Sequence, residues 1–395
     1  MDRDLTDIVK AKVAQHHADT VRHYRHLHKH PELSFQEKQT SEYVESVLQD
    51  LNIEYRNKIG GYGILAWVRG TDPESKTIAL RADMDALPIT EENNVDYKSV
   101  NSGVMHACGH DSHTASLLSV ARIVKELQGR IRGTVLFIFQ PGEEKHPGGA
   151  SLMLSDGVFD TYKPDLVVGQ HAYADYPVGT VGFEAGTIMA SADEIHIKVK
   201  GQGGHGAIPN KLNDTVLAAS QLIVSIQQVV SRRSDPFKPM VITFGKFIAD
   251  GATNVIPDEV VLAGTFRCMD EEERQRMKPI ITDVAVHTAK AYGCECDITI
   301  YNGYPCTYNN GEVTQAMKSY ADEYLGEDFV LGLPKRMTAE DFGFFSQQYP
   351  STFYRFGVQG SQKTTGQHTP TFLIDEEALI TSVGVMAYLA LSYCG

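Results

Sequence analysis

Hydrophobic and polar positions change rhythm along this 395-residue chain, and each rhythm predicts a different architecture. Residues 4–50 follow a helical period broken at His30-Pro31-Glu32, where proline removes the N–H that a helix interior needs. Short apolar runs at Gly63–Arg69 and 77–81 read as strands. Thr134-Val-Leu-Phe-Ile-Phe-Gln140 is continuously apolar and rich in β-branched and aromatic residues, the pattern of a strand buried on both faces. Between these runs Leu117, Val120, Ala121, Val124 and Leu127 fall on one helical face, with Gly129 as the stop. Asp165-Leu-Val-Val-Gly-Gln-His171 repeats the short apolar strand. Strand and helix in alternation predict an α/β fold, a mostly parallel sheet flanked by helices.

From about residue 188 the rhythm changes. Glu194-Ile-His-Ile-Lys-Val-Lys200 alternates strictly, which gives one wet face and one packed face. A helix over 214–231 follows, with Asp214 as its N-cap. Strands over 241–248 and Glu259–Cys268 flank a loop at 251–257. A charged helix over 270–292 and a strand over 294–301 close the set. The β-α-β-β-α-β order predicts a compact α+β domain over 187–302, inserted between the two parts of a catalytic domain, 1–186 and 303–395. No repeat or low-complexity stretch is present.

Composition narrows the class. A hydrophobic fraction of 42% and a charged fraction of 22% suit a soluble globular chain. A formal charge of −14 argues against nucleic acid or an anionic membrane as partner, since both need a basic surface. No apolar run has the length of a membrane span. The start, Met1-Asp-Arg-Asp-Leu-Thr-Asp7, is polar and acidic, without an apolar stretch of signal type. Six cysteines (108, 268, 294, 296, 306 and 394) lack disulfide-framework or zinc-ribbon spacing. The expectation is a cytoplasmic protein, with Cys294 and Cys296 as packing residues along a strand.

The chemistry starts at Met105-His-Ala-Cys-Gly-His-Asp111. On an extended segment Cys108 and His110 point to one side, and a thiolate with a neutral imidazole is a transition-metal ligand pair. Further candidates are Glu143-Glu144, directly after the buried strand, His171 at the end of another strand, and His368 in the loop Gly366-Gln-His368-Thr-Pro370. Residues at the carboxyl ends of strands stand where open α/β sheets build their sites. Together these residues suit a polynuclear metal centre.

Seven segments, in order, carry a family resemblance over nearly the whole chain. They are Arg25-His-Leu-His-Lys-His-Pro-Glu-Leu33, Leu80-Arg-Ala-Asp-Met-Asp-Ala-Leu-Pro88, Met105-His-Ala-Cys-Gly-His-Asp111, Phe139-Gln-Pro-Gly-Glu-Glu144, Gly203-Gly-His-Gly-Ala-Ile-Pro209, Thr253-Asn-Val-Ile-Pro257 and His368-Thr-Pro370. The chain resembles the metal-dependent amidohydrolases that include aminoacylases, hippurate hydrolases and indole-acetyl-amino-acid hydrolases, within the group of dinuclear metallopeptidases. Gly142 stands where alanine is more usual, a departure expected not to affect the chemistry.

The resemblance implies two divalent ions, with zinc, manganese, cobalt and nickel all open. Cys108 would lie between them, His110 and His171 on one, Glu144 and His368 on the other. It implies Glu143 as the general base. His205, usually from the partner subunit, would polarise the scissile carbonyl, and Asn254 and Arg267 would hold the carbonyl and the substrate carboxylate. The implied substrate is a small N-acyl amino acid, and the implied assembly is a homodimer through the inserted domain, which also serves as a lid. Hydrolysis of an amide near neutral pH needs an activated water, and a divalent ion lowers the pKa of bound water to about 7. A dipeptidase or carboxypeptidase using the same centre is the alternative. A cysteine hydrolase with Cys108 as nucleophile, or a non-catalytic metal-binding protein, would leave several of these residues unexplained.

Other clusters read as structural. His23, His26, His28 and His30 are expected on a solvated helix face and a Pro-Glu turn. Asp83 and Asp85 are expected to support the ligands or a turn, and Glu340-Asp341 to start a helix.

Overall fold

The computed structural model describes residues 3–360 and 364–395, so Met1 and Asp2 of the acidic start lie outside the described residues. The chain divides into two units. The first comprises Met1–Gly186, Tyr308–Pro334 and Asp341–Gly395, and the second Thr187–Thr307 and Lys335–Glu340. The second unit thus extends past residue 302 and takes in a later segment as well.

The first unit is built on an eight-stranded sheet. Its strands include β1 (Glu54–Ile59), β2 (Gly63–Arg69), β3 (Thr77–Asp83), β4 (Thr134–Gln140) and β5 (Leu166–Pro177). Strands β3 and β4 pair in parallel, as do β3 with β5 and β5 with Ser351–Gln359; β1 with β2 and β2 with β4 run antiparallel. Every residue of β4 is buried, which its continuous apolar run requires. Helices α1 (Arg3–Lys29) and α3 (His110–Glu126) pack against each other and against the last helix, Ala378–Cys394. Helix α2 (Lys38–Asp50) covers β1 and β2.

Two readings change here. Helix α3 is buried almost all round, from His110 to Val124 except Arg122, rather than along one face. The α1 histidines are not uniformly solvated. His23 and His28 are buried, while His26 stacks on Tyr43 at 3.9 Å between ring centroids. His23 Nδ1 lies 2.7 Å from the Tyr43 hydroxyl. His28 Nδ1 lies 2.6 Å from Asp111 Oδ2 and its Nε2 3.1 Å from Glu91 Oε1. Their partners come from sequence-distant segments, which a local polar pattern does not reveal.

The second unit holds a four-stranded antiparallel sheet in the order Met240–Ile248, Glu259–Cys268, Ala192–Lys200, Glu295–Tyr304. Two helices, Thr215–Gln228 and Glu271–Ala291, cover it. Asp214 caps the first by accepting from Leu217 N–H at 2.9 Å, and Asp270 caps the second by accepting from Glu273 N–H at 2.8 Å. Among the described residues no helix is long and apolar enough to cross a membrane.

Candidate metal centre

Cys108 and His110 reach a common side by a route other than an extended strand. Gly109 takes a left-handed conformation (φ 93°) and α3 begins at His110 itself. Glycine adopts that φ without the Cβ penalty other residues bear. His110 Nδ1 lies 3.0 Å from the Asp85 carbonyl and 3.3 Å from Asp85 Oδ1. Neither oxygen donates, so Nδ1 carries a proton, and the neutral form of the ring, the form that binds a metal, would offer its lone pair from Nε2 on the side of the neighbouring carboxylates.

Glu143 and Glu144 follow β4 through Pro141-Gly142. Glu144 N–H donates to Asp85 Oδ2 at 2.9 Å, and Asp341 N–H approaches Glu143 Oε1 at 3.4 Å. Glu144 Oε1 stands 3.3 Å from His368 Nε2 and 3.9 Å from His110 Nε2. His171 lies in the middle of β5 rather than at its end, just past the last β5 pairing with β3 at Arg81↔Gly169. The sheet edge opens there, so the histidine occupies a strand-end site while its own strand runs on. His171 Nδ1 is 2.9 Å from the Ala172 carbonyl, to which it donates, and its Nε2 is 3.6 Å from Cys108 Sγ. His368, at φ 63°, hangs its N–H on the Ala107 carbonyl at 2.8 Å and brings Nε2 to 3.4 Å from Cys108 Sγ.

Five trios of potential donors, each with its atoms within 4.8 Å of one another, lie among the described residues: two include Glu143 (His110–Glu143–Glu144 and Glu143–Glu340–Asp341), and two more are Cys108–His110–His171 and Cys108–Glu144–His368. The latter two share Cys108. The fifth trio, Asp83–His110–His113, is excluded by hydrogen bonding. His113 Nδ1 is 2.6 Å from Asp83 Oδ1 and its Nε2 accepts from Ala172 N–H at 2.8 Å, so neither nitrogen has a free lone pair.

The donor set fits divalent cations on its own chemistry. Among the described residues no hydrogen bond reaches the buried His110 Nε2 or Glu144 Oε1, an arrangement that costs stability unless something else satisfies them. Burial, then Glu144, Glu143 and Asp83, push the Cys108 thiol well above its ordinary range, so a thiolate here needs added positive charge. Burial alone would keep His110 neutral, but Asp83, Asp85 and Glu144 outweigh it and raise His110 to about 10. Burial and His113 hold His171 well below its ordinary value, so it is a neutral imidazole. Sulfur, nitrogen and oxygen donors together suit borderline transition metals.

Beneath the donors lies a polar network that the sequence did not expose. Buried Arg81 donates to Gln140 Oε1 at 2.8 Å, Asp83 Oδ2 at 2.7 Å and Asp341 Oδ1 at 2.9 Å. Asp341 also accepts from Gln140 at 2.8 Å and from Ala150 N–H at 2.9 Å. Asp341 is therefore a buried hub, and the short helix beyond it starts only at Gly343. The i, i+2 spacing of Arg81 and Asp83 on one strand face was the available signal. Asp85 supports His110 and Glu144 and accepts from Ser34 Oγ at 2.6 Å.

In the second unit His205 and Asn254 are brought together. The two-residue strand Gly204–His205 pairs with Val255–Ile256, and Gly206 N–H donates to the Asn254 carbonyl at 2.8 Å. His205 Nδ1 accepts from Ala207 N–H at 3.1 Å, which leaves the proton of the neutral ring on Nε2. His205 and Asn254 are exposed, and Arg267 is half-buried on the Glu259–Cys268 strand.

An open, mostly parallel sheet with thiol, imidazole and carboxylate donors gathered past its strand ends defines a metallopeptidase-like hydrolase. Residues 79–392 match the model of peptidase family M20/M25/M40, and the chain belongs to that family. It is 39% identical over 304 residues to the N-acyl-L-amino acid amidohydrolase of Geobacillus stearothermophilus, covering 77% of this chain and 81% of that one. It is 37% identical over 356 residues to the N-acetyl-L-cysteine deacetylase of Bacillus subtilis, covering 90% and 83%. Among solved structures, the YXEP protein of Bacillus subtilis, described as a dinuclear metal-binding peptidase of family M20, matches with a TM-score of 0.85 and 33% identity over 96% of this chain and 99% of that one.

Proposed function

We propose that this chain is a metal-dependent amidohydrolase that cleaves the amide bond of N-acyl amino acids to a carboxylic acid and a free amino acid. The observation that carries the reading is the pair of donor trios sharing Cys108, with Glu143 beside them and outside both. His110 and His171 would hold one divalent ion, Glu144 and His368 the other, and Cys108 would bridge them. The ions, when bound, supply the Lewis acidity that makes water a nucleophile near neutral pH. Glu143 takes the proton from that water and returns it to the departing amine. His205 presents Nε2–H to the carbonyl oxygen, Asn254 adds a second donor, and Arg267 takes the substrate carboxylate in two-pronged hydrogen bonds. Relatives whose names specify N-acyl amino acid and N-acetylcysteine substrates support this chemistry over peptide cleavage.

The assembly we propose is a cytoplasmic homodimer joined through the second unit, which also acts as a lid. Free cysteines at all six positions suit a reducing compartment. In the second unit the Met240–Ile248 strand is a sheet edge that exposes Val241, Phe247 and Ile248, an edge that a second copy would cover. The deciding experiment strips the protein of metal and reloads it separately with zinc, manganese, cobalt and nickel. Each form is then given N-acetyl, N-benzoyl and indole-acetyl amino acids beside simple dipeptides. Metal-restored release of amino acid from acyl conjugates is expected. Turnover of dipeptides alone would move the protein to the peptidase branch, and silence with every metal would sink the enzymatic reading.

A further inference from the structure

Gln367 precedes His368 in the loop before the last helix, and its amide reaches across the cluster. Gln367 Nε2 lies 3.2 Å from the Cys108 carbonyl and 3.1 Å from the Ala172 carbonyl. The same nitrogen is 3.8 Å from Cys108 Sγ and 3.2 Å from His171 Nδ1. An amide NH2 has two protons and no acceptor capacity, so the carbonyls take one each, with the sulfur sharing one of them. His171 Nδ1 already donates to the Ala172 carbonyl, so its approach to Gln367 is a close contact between two donors.

We propose that Gln367 is a positioning residue of the metal centre, tying together the three segments that carry Cys108, His171 and His368 and setting an N–H against the shared sulfur. The inference rests on the metal-centre reading above. The loop otherwise joins the Cys108 segment here through His368 N–H on the Ala107 carbonyl. The Gln367 amide adds the link to β5, so three ligands taken from two loops and a strand keep one spacing before any ion arrives. A donor aimed at a metal-bound thiolate also withdraws electron density from the sulfur and tunes the bond it makes. The sequence shows only a polar residue before His368 and gives no sign of this reach.

Cobalt(II) titration of the metal-free protein tests the idea, because cobalt reports sulfur ligation by its charge-transfer absorption. Gln367→Met keeps the length of the side chain and removes both donors. Gln367→Asn keeps the amide but shortens its reach. Wild type should bind two cobalt ions per chain with a sulfur-to-cobalt band. Both variants should bind about 10–100-fold more weakly, the usual effect of losing a group that orients a ligand. Their band should also move to longer wavelength, because the sulfur loses its N–H. Circular dichroism of the metal-free variants checks that the fold is kept. Wild-type affinity and band position in a folded variant, either Gln367→Met or Gln367→Asn, would overturn the inference and leave the centre standing. A wild type that binds no cobalt through sulfur would overturn the centre itself and this inference with it.

Discussion

Gly142 constrains the turn that delivers both glutamates. Its φ is +60°, and a Cβ there would stand 2.2 Å from the Phe35 ring. Its N–H donates to Glu37 Oε1 at 2.7 Å, and Phe35 N–H donates to the same oxygen at 2.8 Å. The expectation that this departure from alanine leaves the chemistry unaffected concerns the glutamates alone; for packing, the lack of a Cβ at Gly142 makes room for the Phe35 ring. Gly142→Ala should cost about 1–2 kcal/mol for the left-handed backbone and about 1–3 kcal/mol for crowding. Denaturant unfolding of Gly142→Ala, Phe35→Ala and the double variant measures this directly. A coupling of about 1 kcal/mol or more is expected, and strict additivity would show that the two sites are independent. The glutamates themselves should separate by role. Glu143→Ala should retain metal and lose about 10²–10⁴ in kcat, the range of a general base. Glu144→Ala should lose bound metal as well. Equal metal loss by elemental analysis would show that the two assignments are wrong.

At the scale of elements, α1 and α3 are locked by buried charge rather than by apolar packing alone. Burial opposes a proton on His28, but Asp111 and Glu91 outweigh it and raise its pKa to about 9. Because the folded value exceeds the ordinary 6.5, the stabilisation is fully present below about pH 6.5 and is lost as pH rises through about 9. The shift corresponds to roughly 3 kcal/mol as an order of magnitude. The melting temperature of His28→Gln should therefore lie well below that of wild type at pH 6, and the gap should narrow by pH 9. A gap independent of pH would mean that His28 acts through packing only. This lock also marks where sequence reading stops. Alternation over Glu194–Lys200, the apolar run of β4 and the cap at Asp214 are local signals, and they identified their elements. His28 needs Glu91 and Asp111, and Arg81 needs Asp341, so their burial depends on residues far along the chain. The residues proposed as ligands stood out because each follows a strand or sits in a motif of unusual residue types. The turn at Gly109, the mid-strand place of His171 and the reach of Gln367 depend on backbone paths that residue spacing does not specify.

For the whole molecule, the proposed chemistry is divided between two units of one chain. The donor cluster and Glu143 belong to the first, and His205, Asn254 and Arg267 to the second. If His205 serves the site of a partner copy, symmetry sends each chain's second unit to the other chain's centre. His205→Ala alone should then be slow with unchanged metal content, and a wild-type rate would remove its role at the carbonyl. Coexpression with Glu143→Ala separates service within a chain from service across chains. In a mixed dimer one site inherits both defects, while the other combines the intact Glu143 of one chain with the intact His205 of its partner. Random pairing makes half the dimers mixed, so activity should recover to about a quarter of wild type. Service within one chain gives every site one defect and no recovery beyond the mean of the two variants. Sedimentation of the same mixture checks that dimers form, so a dimer without recovered activity would reject exchange of His205 between subunits while leaving the metal centre in place.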